Sequence, residues 1–373
     1  MSERLRIAIF GSSVTSSYWN GAATYYRGLA RALHGRGHRV DFYEPDALDR
    51  QAHRDLGEVE WVRPVVYGAD REAEVVAAVE SAREADVVIK CSGVGVHDEL
   101  LDREVLRHRE RGALAAYLDV DAPATLERIG RDPGDALRRL IPEYDLVLTY
   151  GGGPPVVAAY ESLGARACAP IYNAVDPSTH FPAPADERFR CDLAFLGNRL
   201  PDREARVEAF FLEPARRLRD RRFILGGSGW EPRSLPANVR HVGHVAPPEH
   251  NAFNATPRAV LNISRESMAR FGFSPATRVF EAAGAGACVI TDAWEGVETF
   301  FEPGKEILVA RDGDEVAELV GSLTRERARA VGELARRRAL KDHTYDRRAE
   351  RLEKELLSRL RGRARREREG ATL

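Results

Sequence analysis

The stretch with the most chemistry in it is Phe273-Ser274-Pro275-Ala276-Thr277-Arg278-Val279-Phe280-Glu281-Ala282-Ala283-Gly284-Ala285-Gly286. Ser274 reads as a helix N-cap with Pro275 in the first turn, which leaves the amides around Thr277 open at a positive helix end. Arg278 and Glu281 stand three apart and share a helix face. Turned into a cleft, that face accepts sugar hydroxyls on its carboxylate and meets phosphate with its guanidinium. Turned to water, it is an ordinary surface ion pair. Val279, Phe280 and Ala282 make the helix largely buried, where an idle charge is costly, and this favours the first reading. A second candidate is Phe195-Leu196-Gly197-Asn198-Arg199 with Asp202-Arg203 behind it. A strand ends in Gly197 and a helix follows. Arg199 and Arg203 are placed to fork a diphosphate, or are helix-surface arginines. A third is Gly11-Ser12-Ser13 leading to Trp19-Asn20-Gly21-Ala22-Ala23-Thr24, a glycine loop opening a helix, with free N–H groups for an anion or else an ordinary turn. It is neither Gly-x-Gly-x-x-Gly nor a P-loop. Tyr18 and Trp19 are either lids or core.

These residues need elements to hold them. Apolar runs at Leu5 to Phe10, Val40 to Tyr43, Asp86 to Lys90, Ala113 to Leu118 and Tyr144 to Thr149 alternate with helical patterns such as Thr24 to Leu33. Continuous rather than alternating apolar runs mean parallel strands covered on both faces. After a proline-bearing polar stretch the pattern resumes, with strands at Asp192 to Leu196, Phe223 to Leu225, Val239 to Val242, Ala259 to Ile263, Cys288 to Thr291 and Ile307 to Val309, and helices at Asp202 to Leu218 and Thr277 to Ala285. The predicted fold is α/β: two tandem doubly wound Rossmann-like domains, 1–176 and 191–341, joined by a linker at 177–190. A cleft between them would receive the ligand. From Thr344 an amphipathic helix (342–373) marks one face with Tyr345, Ala349, Leu352, Leu356 and Leu360. It docks back across the domains or makes a homodimer contact. Arg361 to Arg368 reads as a solvated, frayed end.

Composition agrees with this. The 373 residues are 43 % hydrophobic and 31 % charged, enough for two cores. Fifty-six basic against fifty-eight acidic residues give a net charge of −2, which argues against nucleic acid as a partner. No apolar run reaches a membrane span. Cys91, Cys168, Cys191 and Cys288 are too scattered for a zinc site or a disulfide framework, so a cytoplasmic protein without a metal is expected. The four lysines are Lys90, Lys305, Lys341 and Lys354, so an anion site here is built from arginine or backbone. Only Lys90 and Lys305 lie near strand ends, which disfavours a pyridoxal-phosphate phosphorylase, and the missing glycine fingerprint disfavours an NAD enzyme.

Arg278-x-Phe280-Glu281-Ala282-x-x-x-Gly286, Thr291-Asp292 and Phe301-Glu302-Pro303-Gly304-Lys305-Glu306-Ile307 resemble the signature of the CgeB-like spore-maturation glycosyltransferases, relatives of the family-4 enzymes of GT-B fold. The resemblance extends to Gly11 to Arg27, Leu118 to Thr125, Gly151-Gly152-Gly153-Pro154 and His343-Thr344-Tyr345. It implies sugar transfer from a nucleoside diphosphate sugar to a hydroxyl-bearing glycan or small molecule, with no cofactor. Of the two family glutamates eight residues apart, Glu281 matches the second, which holds the nucleotide ribose. Phe273 stands in place of the first. Asn20-Gly21 matches the donor-phosphate loop, Arg199 and Arg203 the basic pair, and Gly243-His244 the stretch that cradles the base. Helix ends and arginines can stabilise the leaving diphosphate without a metal. Asp119-x-Asp121 also suits Mg²⁺ or Mn²⁺. The preferred reading makes Asp121 orient or deprotonate the acceptor, unless it only caps the following helix. His97, after Ser92-Gly93-Val94-Gly95, is a second base or sugar contact, or a solvated loop histidine. Trp230 lines the base pocket or lies on the surface. The competing functions are a nucleotide-sugar epimerase of the same architecture and a non-catalytic sugar-nucleotide-binding relative.

Overall fold

The computed structural model describes residues 4–230 and 234–370, with side chains through Arg363. The chain divides into two compact units. One runs to Tyr172 and resumes at Tyr345, and the other is Asn173–Thr344.

The first unit is built on seven parallel strands: β1 Arg6–Phe10, β2 Arg39–Asp46, β3 Arg63–Gly68, β4 Val87–Cys91, β5 Leu114–Asp119, β6 Leu146–Thr149 and β7 Cys168–Pro170, in the order β3-β2-β1-β4-β5-β6-β7. β1, β4, β5 and β6 are buried almost throughout, as strands covered on both faces must be. β3 and β7 are the two edge strands, and periodicity missed both. β3 carries Arg63 and Pro64 and is only half buried. β7 is three residues long. The order reverses between β1 and β4, and the loops at the carboxyl ends of those strands are where sheets of this kind take a ligand.

The last helix, Tyr345–Gly370, belongs to this unit and packs on the helix Ala23–Gly35. Tyr345, Ala349, Leu352 and Leu356 are buried there, so the apolar face is covered within the chain. Arg36 and His38 meet Glu353, and Arg348 Nε donates to Tyr172 O at 3.2 Å. Arg363 donates to Arg109 O (2.6 Å) and Ala113 O (3.1 Å). It therefore does not belong to a solvated, frayed end, and the helical backbone continues to Gly370. The side chains of 364–370 lie outside the described residues.

The second unit has six parallel strands: β8 Leu193–Leu196, β9 Phe223–Gly226, β10 Val239–Gly243, β11 Ala259–Asn262, β12 Val289–Asp292 and β13 Leu308–Ala310, in the order β10-β9-β8-β11-β12-β13. Its reversal lies between β8 and β11. Phe195, Phe211, Phe223, Ile290 and Trp230 fill the core on one face. The helix expected over Asp202 to Leu218 runs as Pro201–Val207, a π turn at Glu208–Leu212, and Glu213–Arg217. Residues 177–190 fall inside this unit. Asn251 Nδ2 donates to Thr179 O (2.9 Å) and accepts from Phe181 N (3.3 Å), which ties the stretch down. Among the described residues no helix is long and apolar enough to cross a membrane.

Candidate functional site

The helix carrying Arg278 and Glu281 spans Thr277–Gly284, with Ala276 in the N-cap position and no side chain capping it. Ser274 is not the cap. It is buried three residues earlier, and its Oγ donates to Gly272 O at 2.8 Å. The approach is strained. Gly272 (φ +68°) is followed by Phe273 at φ +45°, a left-handed conformation uncommon for an aromatic residue, fixed by Phe273 N donating to Glu295 O at 2.6 Å. A Cβ at Gly296 would enter the Phe273 ring, so glycine is required there. The turn delivers an uncapped helix start, whose amides and positive end favour an anion.

Arg278 lies in this helix with its Nη1 buried and without a hydrogen-bond partner among the described residues. Its Nη2 is 4.0 Å from Glu281 Oε2. Burial pushes its pKa down, against the pull of Glu281. Arg203, from the helix after β8, adds a second cation. Its Nη2 donates to Asn198 O (2.7 Å), its guanidinium lies over the Phe195 ring, and its Nε is buried without a partner. Burial also lowers its pKa. Asp202 opposes this, and the charges of Arg278 and Arg265 add to it. Two half-buried guanidiniums, each with a buried nitrogen that has no partner among the described residues, stand where an anion would relieve both desolvation and repulsion. The strand ends around them are fastened. Gly197 N donates to Gly226 O (3.0 Å), Gly227 N to Gly243 O (2.7 Å), and Trp230 Nε1 to Gly197 O (2.7 Å). Gly227 (φ +115°) packs so close to Gly197 O that no side chain fits.

Glu281 is buried and surrounded by cationic or protonatable groups. His180 Nε2 is 3.7 Å from its Oε1, and Arg278 and His250 also act on it. Burial alone would raise its pKa, but the three neighbours outweigh burial and hold it below the usual carboxylate range. The carboxylate is therefore ionised and ready to accept hydroxyl protons. His180 and His250 carry no sequence signal. His180 lies in the polar stretch read as a linker, and His250 begins a short helix, His250–Ala255, whose face is set only by packing.

The remaining predicted residues divide. Gly243 (φ +68°) ends β10 with open space beside it, and His244 is exposed, so backbone rather than ring is offered there. Arg199 is exposed and doubly bonded to Glu204 (2.7 and 3.0 Å), which makes it a surface ion pair rather than a second diphosphate fork. Trp230 is core. Thr291-Asp292 is structural: Asp292 is fully buried, accepts Ser264 N and Oγ (both 3.1 Å), and pairs with Arg206 (2.6 Å). His343 donates from Nε2 to Phe300 O (2.8 Å) among Phe280, Phe300 and Phe301.

In the first unit, the loop after β1 is occupied by an anion of the protein itself. The carboxylate of Glu44, fully buried, accepts from Val14 N (2.6 Å), Thr15 N (3.1 Å), Ser13 Oγ (3.0 Å), Gln51 Nε2 (2.8 Å) and the Thr15 hydroxyl. The amides of Val14 and Thr15 are thus spent within the protein. Asn20 is buried and donates to Ser13 O (2.7 Å) and Ser16 O (3.0 Å), so its side chain braces the loop instead of meeting a donor. Gly21 is exposed with open space where a Cβ would be. Tyr18 stacks on His53, and Trp19 stands 79 % exposed, so neither is core. Asp119 is no catalytic group. It is fully buried and accepts Ser92 Oγ (2.9 Å), Thr125 Oγ1 (3.0 Å), Asp121 N (3.0 Å) and the Tyr160 hydroxyl, with burial pushing its pKa up. His97, at φ +53°, bonds its Nε2 to Ala69 O (2.9 Å), a loop brace rather than a solvated base. Asp121 occupies the N-cap position of the helix Ala122–Arg131 without capping it. It lines a cavity of about 350 Å³ with Ser92, Tyr117 and Arg128. Lys90 borders the same cavity, buried against Asp98 (2.7 Å) and Asp102 (2.6 Å). Among the described residues no three His, Cys, Asp or Glu side chains are grouped to share a metal ion.

Residues 203–354, which include Arg203, Arg278 and Glu281, match the family described as glycosyl transferase-like. No curated protein is significantly similar to the chain. Among solved structures, HepE of Anabaena in complex with UDP and glucose is 13 % identical, with TM-score 0.68, covering 95 % of this chain and 100 % of that one. Sucrose-phosphate synthase of Thermosynechococcus elongatus is 14 % identical, with TM-score 0.64, covering 99 % and 100 %. AviGT4, a glycosyltransferase involved in avilamycin A biosynthesis, is 19 % identical, with TM-score 0.63, covering 96 % and 98 %. The chain thus has the two-unit α/β fold of the GT-B glycosyltransferases, and the part of it that holds the half-buried arginines and Glu281 is glycosyl transferase-like in sequence.

Proposed function

We propose that the protein is a glycosyltransferase of CgeB-like type that moves a sugar from a nucleoside diphosphate sugar to an acceptor hydroxyl, with no metal. The observation that carries this reading is the pair of half-buried arginines, Arg203 and Arg278, each with one buried donor unpartnered among the described residues, together with the uncapped start of the helix that bears Glu281. The diphosphate lies against the arginines and the helix amides, and Glu281 accepts the two ribose hydroxyls. As the glycosidic bond breaks, negative charge grows on the leaving diphosphate, where fixed cations and amide dipoles stabilise it most. HepE binds UDP and glucose, so uridine diphosphate glucose is the first donor to try. Asp121, in the first unit, takes the proton from the acceptor hydroxyl. The acceptor is a glycan or a small molecule.

A thermal-shift panel of nucleoside diphosphates and their sugars tests the donor, because a ligand bound only by the folded state raises the midpoint by mass action. One base should stand out. Incubation with that donor alone should give at most slow hydrolysis. Interconversion of the sugar would instead make the protein an epimerase, and binding without turnover under any acceptor would make it a non-catalytic relative.

A further inference from the structure

The stretch Asp176–His180 follows the last strand of the first unit and forms a turn. His180 N and Thr179 N donate to Asp176 O (2.9 and 3.1 Å), and the Asp176 side chain accepts Ser178 N and Oγ (2.9 and 2.6 Å). The turn is pressed onto the helix Thr277–Gly284. A Cβ at Gly284 would lie 3.0 Å from His180 O and 2.5 Å from Val175 Cγ2, so glycine opens the space the turn occupies. Asn251 fixes the turn from the helix His250–Ala255. The His180 ring is then held at both ends: Nδ1 is 2.9 Å from Thr179 Oγ1, and Nε2 is 3.7 Å from Glu281 Oε1.

We propose that His180 is a positioning residue for nucleotide capture, orienting the Glu281 carboxylate toward the ribose hydroxyls. This rests on the reading of Glu281 as the ribose-binding group. Three charged or titratable groups face that carboxylate: His180 from the turn, His250 from its own helix, and Arg278 from the helix of Glu281 itself, with Arg203 beyond Arg278. The two arginines stay charged. His250 donates its Nε2 proton to Val245 O (3.1 Å), and burial, helped by Arg278, holds its pKa low, so it remains neutral near pH 7. His180 is the ring that the turn itself brings to the carboxylate, at 3.7 Å.

Calorimetry with uridine diphosphate at pH 7.5 on the full chain tests this, with His180→Gln, His180→Ala and Glu281→Ala compared. His180→Gln, whose amide can still donate toward the carboxylate, should keep its affinity within about threefold, and His180→Ala should lose about tenfold. If both variants keep wild-type affinity while Glu281→Ala weakens binding, the role of His180 is refuted and the nucleotide site stands. If Glu281→Ala binds as the wild type does, the nucleotide site itself fails. An unfolding midpoint for His180→Gln close to that of the wild type shows that the comparison concerns the site rather than the fold.

Discussion

At the scale of single residues, burial separates the ionisable groups that are free to act from those already engaged. Arg278 and Glu281 sit 4.0 Å apart, too far for either to satisfy the other, and both are desolvated. Arg278→Ala and Glu281→Ala are each expected to weaken nucleoside diphosphate binding by about 1–3 kcal/mol, the size of a charge-assisted hydrogen bond, as read by calorimetry. Arg199→Ala is expected to leave affinity within about 0.5 kcal/mol of wild type, because that side chain is an exposed partner of Glu204. Equal losses at Arg199 and Arg278 would contradict this division. Asp119 makes the opposite case. It collects three side-chain hydroxyls and one amide, so Asp119→Ala should cost about 2–4 kcal/mol of stability by leaving those donors unpaired. An unchanged midpoint in a denaturant titration would show that the network is slack.

At the scale of elements, the seat of the helix Tyr345–Gly370 in the first unit includes a close fit at Gly28. Gly28 lies beneath Tyr345, and a Cβ there would fall inside the ring. On propensity alone, Gly28→Ala in the middle of a helix gains about 1 kcal/mol. Here it should instead destabilise by about 1–3 kcal/mol through overpacking and loosen the terminal helix. The check is the midpoint of Gly28→Ala against the double variant with Tyr345→Ala, in which the loss should shrink because the clash is gone. A stabilised Gly28→Ala would mean that the terminal helix is not seated as described.

At the scale of the molecule, each unit carries its own sheet and core, so unfolding need not be two-state. In the first unit, His38 and His108 are buried. Desolvation lowers both pKa values, against the opposing pulls of Glu353 and of the Val79 carbonyl. The unfolded chain binds these protons from about pH 6.5 downward while the folded chain resists them. Stability is therefore full above that pH and is lost as the pH falls. Between pH 7.5 and 6.0 the loss should reach at most about 0.8 kcal/mol per histidine, before buried carboxylates with raised pKa begin to oppose it. Thermal unfolding across that window should show the first unit weakening, with a shallower slope in His108→Gln. A flat profile would mean that these rings take up protons in the fold as readily as in the unfolded chain.

The sequence was sufficient for what depends on local pattern. Continuous apolar runs ended by glycine identify parallel strands wherever burial is on both faces. The edge strands of the first sheet escaped because Arg63-Pro64 and a three-residue β7 carry no such run. Arg278 and Glu281 were legible because their spacing puts both on one side of an apolar helix. What spacing cannot tell is whether a polar group is already satisfied by a residue distant in the chain. Glu44 fills a loop thirty residues before it, Glu204 takes Arg199, and Asp119 gathers partners from three segments. His180 reaches Glu281 across a hundred residues. Hydrogen bonds and ion pairs act over a few ångströms of space without regard to chain separation, so only the tertiary structure could sort the available charges from those already spent.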